Sequence, residues 1–472
     1  MTQKQIETYS KKWMEARHLP SKERLEFRSL LNEKLEQPHM RDLARNPMQL
    51  TILLALIHTR GLSLPDKRTS LYDNYMELFF NRESEKSRVV REHRDLLIDI
   101  HRYLAWTLHV AAEGGQSGGS ITELDLKKLL RSYLDAEGHR ISLVEDLFTG
   151  MVERVVALVS RVQGTFEFEV QPLREYFAAR HLYETAPYSP PGSERSGTKP
   201  ERFDALSRNF YWLNVLRFFC GCFSRGELAS LVDGLCVLSR SSDYGLVDHP
   251  RTIAVMLLGD WVFSQQPLSV KRVVSQMFEQ PGLKIFLSGA GRRATAAVVL
   301  PDRCGRSDLV EHAQDELLGT TYEEDRGSLF KLINDNSNMQ ERVLWWKGRE
   351  PKNTSEIDAW FSDGRKLSIF KELSKLENQK LFRKYGDNLV VELLNSRRFD
   401  ILYSENDMFN RSVELISDGH RDVRNFGPVK KNQTNIEKFS FFMSAIVYRL
   451  TLSGDPSISM KESLQRHLPF YE

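Results

Sequence analysis

Residues 155–181 read "VVALVSRVQGTFEFEVQPLREYFAARH", and this stretch decides how the first half of the chain is understood. β-Branched and aromatic residues fill 155–162 and 165–169 on either side of Gln163–Gly164. The pattern predicts two strands joined by a tight turn, with Gln-Gly standing as a relative of the Asn-Gly hairpin signal. Pro172 then suits the first turn of a helix, where no backbone N–H is needed. Along "PLREYFAAR" the residues Leu173, Tyr176 and Phe177 form an apolar face. Ala178 and Ala179 are small enough to let another helix approach. Arg174 and Glu175 sit beside that face. They read either as groups of an interdomain switch or as an ordinary solvated helix face.

Working upstream, three amphipathic segments precede the hairpin. The first carries Leu97, Ile100, Leu104 and Leu108 on one stripe. A glycine-rich loop, "EGGQSGGS", follows. A capping box at Ser120–Glu123 predicts the start of a second helix, with Leu126, Leu129, Leu130, Tyr133 and Leu134 inward. The third places Val144, Leu147, Phe148, Met151 and Val152 on one face. Three helices followed by a hairpin is the layout of a winged-helix domain, expected at 89–185. Further upstream, "DLARNPMQLTILLALIHTRG" (42–61) predicts a helix capped by Asn46, with Pro47 in its first turn, Gln49 at the capping-box position and Gly61 ending it. That helix is apolar nearly all round and is expected to be buried. "LPDKRTSLYDNYMELFFNRE" predicts a second helix with Leu71, Tyr72, Tyr75, Leu78 and Phe79 inward. Residues 1–35 read as two short helices split near Pro20.

The chain has 472 residues, of which 41% are hydrophobic and 28% charged, so it is expected to be globular. A net charge of +2 is too balanced to imply a polyanionic partner. The four cysteines, Cys220, Cys222, Cys236 and Cys304, form no CxxC pair, which argues against a zinc site or disulfide framework and fits a reducing cytoplasm. The longest apolar run, "LTILLALI" (50–57), is too short to span a bilayer. The segment 186–201, "APYSPPGSERSGTKPE", reads as a linker. Beyond it, 202–472 reads as helix after helix, for example at 203–223, 249–265, 340–348, 364–376 and 434–452, without a strict repeat period. The fold class expected is mainly α: a helical domain at 1–88, a winged helix, and an all-helical C-terminal region.

"FEFEVQPLREYFAARHL" resembles the end of the winged-helix domain of NACHT-type STAND nucleotide-binding proteins, where a hairpin strand runs into a helix bearing a phrase like "EYFAA". "RNPMQLTILLALIHTRGLSLPDKRTSLYDNYMELFF" is similar to the helical segment just upstream in that family. "RNFYWLNVLRFFCGCF" fits the helix that follows. The matches stand in family order and cover roughly residues 1–185. The resemblance implies a molecular switch, commonly one of microbial defence against invading genetic elements, with ATP or ADP and magnesium bound by a core domain. It implies that Pro47 would lie against the nucleotide base. Val170 stands where the family often has a phosphate-sensing histidine, and valine has no donor. No "GK" occurs in the chain, so no Walker A loop is present to hold phosphates. The expectation is a truncated or split protein whose nucleotide-binding domain acts in cis or in trans. The expected partners are that domain and a protein trigger, with homo-oligomerisation on activation and with neither membrane nor nucleic acid.

Other motifs carry less. "GQSGG" (115–119) matches G-x-S-x-G, but a nucleophile elbow needs a strand before it and a helix after it. "IFLSGAGRRATAAVVL" (285–300) places Gly289, Gly291 and Ala294 as G-x-G-x-x-A. A dinucleotide fingerprint should open a βαβ unit, whereas the surroundings read as helical, so a joint between helices is the better account. The recognition helix of the winged domain, 142–153, carries Glu145, Asp146 and Glu153 and no base, which disfavours DNA. The histidines show no metal-ligand spacing, and Cys220 and Cys222 lie in an apolar helix as buried thiols. No nucleophile, base and metal converge on an enzyme. The competing reading is a nucleotide-independent helical scaffold for protein interaction.

Overall fold

In the computed structural model of the chain, residues 1–417 are described except 37–39, 42–43, 116–117, 152–157, 161, 163, 169, 294–297 and 397. The expected helix at 434–452 lies outside the described residues. Two compact units emerge, Met1–Thr321 and Tyr322–Glu472. Their boundary falls inside the stretch expected to be one helical region.

The first unit opens with α1 (Gln3–Ala16) and α2 (Ser21–Leu35), parted at Pro20 as the sequence suggests. Next come α3 (Pro47–Arg60) and α4 (Arg68–Lys86). Asn46 Oδ1 accepts from Gln49 N at 3.3 Å, which caps α3, and Gly61 ends it with φ at +55°, a conformation open to glycine. Leu50, Leu53, Leu54 and Leu56 of α3 are fully buried, as its all-round apolarity requires. On α4 the inward set differs slightly from expectation. Leu71, Tyr72 and Phe79 are buried, but Met76 and Phe80 take the places foreseen for Tyr75 and Leu78.

A short α5 (Arg88–Glu92) leads into α6 (Arg94–Glu113), whose stripe Leu97, Ile100, Leu104 and Leu108 is buried. Then follow β1 (Ser120–Thr122), α7 (Glu123–Ala136), α8 (Val144–Thr149), β2 (Leu158–Val159) and β3 (Thr165–Phe168). The three strands form one antiparallel sheet in the order β1-β3-β2, with Ile121 opposite Phe166 and Leu158 opposite Phe168. Here the expected capping box is corrected. Ser120 is a strand residue, and the cap of α7 is Thr122, whose Oγ1 accepts from Asp125 N at 3.2 Å. Three residues are too few to leave an alternating pattern in sequence, so β1 was hidden beneath a cap signal. At the turn Gly164 takes φ +78° and Thr165 N donates to Val162 O at 2.9 Å.

Helix α9 (Gln171–Glu184) carries the "PLREYFAAR" phrase. It packs chiefly on α6 and on α11 (Leu213–Gly221), which is reached through α10 (Lys199–Ser207). The long helix expected at 203–223 is therefore two helices, broken at Asn209–Trp212 where Asn209 Oδ1 accepts from Tyr211 N. The unit closes with α12 (Leu228–Arg240), α13 (His249–Gly259), α14 (Pro267–Phe278), α15 (Gly282–Arg293) and α16 (Arg306–Gly319).

The second unit holds α17 (Glu323–Asn336), α18 (Met339–Gly348), α19 (Ile357–Lys366), α20 (Lys375–Tyr385), α21 (Asp387–Asn395), α22 (Phe399–Ser404) and α23 (Asn406–Ser417). The continuous helix expected at 364–376 is instead the end of α19, a 3-10 turn at Ile369–Lys371, and the start of α20. Its core is aromatic. Trp346 and Trp360 stack with centroids 3.8 Å apart, and each indole N–H donates to the other's backbone carbonyl, at 2.9 and 2.8 Å. Among the described residues, no helix of either unit is long and apolar enough to cross a membrane.

A candidate switch junction around helix α9

Helix α9 has two working faces. One is small and apolar: Ala178 and Ala179 are fully buried, and Phe177 meets His101 of α6 and Phe168 of β3. The other is mixed, and it meets α4 and α11. Tyr176 stacks on Tyr72 with centroids 5.5 Å apart, and the edge of Phe218 closes on both rings, at 5.7 and 4.8 Å. The two helices behind this cluster touch closely at Gly221, where a Cβ would lie 1.8 Å from Thr69 Oγ1. Glycine is required there by the space.

Polar groups thread this aromatic cluster. Tyr72 Oη accepts from Gln49 Nε2 of α3 at 2.5 Å, and Tyr176 Oη donates to Asp73 at 2.7 Å. Arg68 lies over the Phe218 ring, 4.5 Å from its centroid, and 3.6 Å from the buried carboxylate of Asp260. Arg217 forks onto the same carboxylate at 2.6 and 2.7 Å. Burial lowers the pKa of Arg68; Arg217 adds to the fall and Asp260 opposes it. A buried carboxylate shared by two guanidiniums is costly to assemble and costlier to break.

Glu175 sits in this setting and is only 2% exposed. Its carboxylate accepts from Gln171 at 2.8 Å and from Asn214 of α11 at 3.4 Å. Burial raises its pKa, against the pull of those two bonds and of Arg68 and Arg174. The solvated-face reading of this residue is thus overturned. Helix α11 covers the polar side of α9 as well as its apolar side.

Arg174 points elsewhere. Its guanidinium lies where a Cβ on Gly119 would be, 1.6 Å from Nη1, so the glycine at φ +92° makes room for it. Its Nε is buried without a hydrogen-bond partner among the described residues. Beyond it lies His109 of α6, fully buried between Tyr211 and Trp212. Burial, reinforced by Arg174 and opposed by Glu113, drives the His109 pKa down to about 4. Arg174 and Glu175 are consecutive and make different close contacts, although Arg174 also bears on the Glu175 charge.

Pro47 is exposed at the start of α3. Its helix reaches the junction through Gln49. Val170 caps the start of α9 in an extended conformation and offers only an aliphatic side chain. Neither Pro47 nor Val170 carries a side-chain group that could bind a phosphate. The apolar run before Gly289 is helical, since α15 spans Gly282–Arg293, so it is not the strand a dinucleotide fingerprint needs. Ala294, the last position of that motif, and Gln116 and Ser117 of "GQSGG" lie outside the described residues. Cys220 is buried and Cys222 partly so, both as free thiols. Among the described residues, no three or more His, Cys, Asp or Glu side chains group as metal ligands would.

The network Arg68–Asp260–Arg217 escaped the sequence reading. A signal existed: Arg217 in "NVLRFFCG" and Asp260 in "MLLGDWVF" are single charges of opposite sign in apolar stretches, and such charges are buried only when paired. Compared with protein-family models, curated proteins and solved structures, the chain has no significant match.

Proposed function

We propose that this chain is the regulatory and sensing portion of a conformational switch of the NACHT-type STAND kind, working with a nucleotide-binding core not contained in these residues. The supporting observation is the burial of Glu175 and Arg68 at the junction of α4, α9 and α11. Buried charge adds little net stability, while it makes an interface sharp, because partly opened arrangements leave charges unpaired. Such a junction has two good states, fully closed or open to water. A trigger that favours the open state would move the population between them. Among the described residues of 94–168 the order helix, strand, two helices and two strands, followed by the "PLREYFAAR" helix, is compatible with the expected winged helix and supports the same reading. On this reading the setting is cytoplasmic defence, the trigger is a protein, and activation involves homo-oligomerisation.

The absence of "GK" favours the scaffold as the second reading, and one experiment bears on both. Titration of the purified chain with ATP and with ADP, each with magnesium, is expected to give no binding heat. A P-loop is expected to be encoded in frame with Met1 or in the neighbouring gene. Micromolar nucleotide binding by the chain itself would contradict the switch reading as stated. A neighbourhood without any P-loop would leave the scaffold.

A further inference from the structure

The stretch read as a linker folds over a cavity. Residues 186–189 and 198–200, together with Phe223, Glu227 and Ser230, line a pocket of about 460 Å³. That is within the usual range for a small-molecule site. The loop is braced from inside: Ser189 Oγ accepts from Arg195 N at 2.8 Å.

The chemistry of the pocket is unusual in one respect. Its walls are apolar rings, Pro187, Tyr188, Pro200 and Phe223, but one side holds a complete ion pair. Lys199 Nζ lies 2.6 Å from Glu227 Oε1 and 3.6 Å from the centroid of the Tyr183 ring. The other carboxylate oxygen, Oε2, is held independently by Tyr183 Oη at 2.5 Å, by Ser224 N at 2.8 Å and by Ser224 Oγ at 2.7 Å. Burial works against the Glu227 charge, yet the bonds from Lys199, Tyr183 and Ser224 prevail and hold its pKa down to about 2. Both side chains remain partly open, 28% and 31% exposed.

These facts select a ligand. If Lys199 turns away, Glu227 stays in place, because Oε2 keeps its three donors. A ligand with only a negative charge would take Lys199 and strand Oε1. One with only a positive charge would do the reverse. A molecule with both charges a short distance apart can replace the pair entirely. We propose that this pocket binds a free α-amino acid with a large apolar or aromatic side chain. Its carboxylate pairs with Lys199, its ammonium with Glu227 Oε1, and its side chain lies against Pro187, Tyr188, Pro200 and Phe223. The inference does not rest on the switch reading.

The test is calorimetric titration of the full chain with L-phenylalanine and L-tryptophan, beside 3-phenylpropionate and phenethylamine, which each lack one charge. Both amino acids are expected to bind saturably, and each single-charge analogue about tenfold more weakly or worse, as loss of one charged hydrogen bond implies. Lys199→Met should weaken the amino acids by about the same factor. Ser230 is exposed on the pocket rim, so Ser230→Trp should fill the site without disturbing the core and abolish binding. Tyr188 is 81% exposed, and Tyr188→Ala, which cannot harm the fold by loss of burial, should weaken binding if the tryptophan variant proves unstable. Absence of saturable heat from both amino acids would overturn the proposal. So would equal affinity for the analogues, or unchanged binding in the rim variants.

Discussion

The rings of Tyr72 and Tyr176 stack with centroids 5.5 Å apart and a tilt of 29°, yet their hydroxyls diverge: one accepts from Gln49 of α3, the other donates to Asp73 of α4. The stack and the Tyr176 bond thus tie α9 to α4, and the Tyr72 bond ties α4 in turn to α3. Removing each hydroxyl should have different consequences. Tyr72→Phe leaves the Gln49 amide buried without its acceptor and should cost about 1–3 kcal/mol. Tyr176→Phe frees a carboxylate that water can reach and should cost about 1 kcal/mol or less. Urea denaturation of both variants checks this. Equal losses would mean that the Gln49 bond carries no special weight.

Asp260 is the shared partner of Arg68 and Arg217 and is 2% exposed. Asp260→Ala leaves two guanidiniums without their counter-charge and should lower stability by about 3–5 kcal/mol. Arg217→Met should cost clearly less, because Arg217 is partly exposed and Arg68 still neutralises the carboxylate. Thermal and denaturant unfolding measure both, and a mild Asp260→Ala would refute the network as a structural element.

The pH response of His109 has a definite sign. Its ordinary pKa is 6.5, and in the fold it is about 4, chiefly through burial. The unfolded chain therefore takes up a proton as pH falls through 6.5, while the folded chain does not until about 4. Stability contributed by the neutral imidazole is full above 6.5 and is lost progressively between 6.5 and 4. His101 is shifted the same way, also by burial. His109→Leu should make the fall in unfolding free energy between those pH values shallower by about one proton. An unchanged slope would contradict the burial of a neutral ring.

Glu175 behaves in the opposite sense. Its folded pKa is raised above 4.5 by burial, so ionisation costs the fold more than it costs the unfolded chain. This penalty is absent well below pH 4.5 and complete above the folded pKa. Glu175→Gln keeps an acceptor for Asn214 and removes the charge. It should be at least as stable as the parent at pH 7, with its relative advantage disappearing in acid. A Gln variant that is less stable at neutral pH would mean that the charge is compensated by its neighbours.

The parts of the fold that follow from local periodicity were legible in the sequence. The helices at 3–16, 21–35 and 47–60 fall where Pro20, Asn46, Pro47 and Gly61 place their ends. The hairpin into α9 was readable because a turn glycine and a helix-opening proline bracket short β-rich runs. What could not be read was long-range. Strand β1 is defined only by pairing with β3, some 45 residues later. The breaks at 208–212 and 367–374 lie in stretches whose apolar residues continue through the turn. Likewise, the choice between a solvated and an interdomain Glu175 turns on α11, which covers it and begins 38 residues further on. A charge on a helix wheel reports its own helix and not its neighbours.

The most direct test of the switch is hydrogen exchange of the intact chain, followed peptide by peptide, in the parent and in Glu175→Gln. The account predicts that α9 and the Tyr72–Phe218 cluster open together, at a free energy below that of global unfolding. It also predicts that removing the charge shifts this opening while leaving exchange in α18 and α19 unchanged. If α9 exchanges only with global unfolding in both proteins, the junction is a rigid core and the account is wrong.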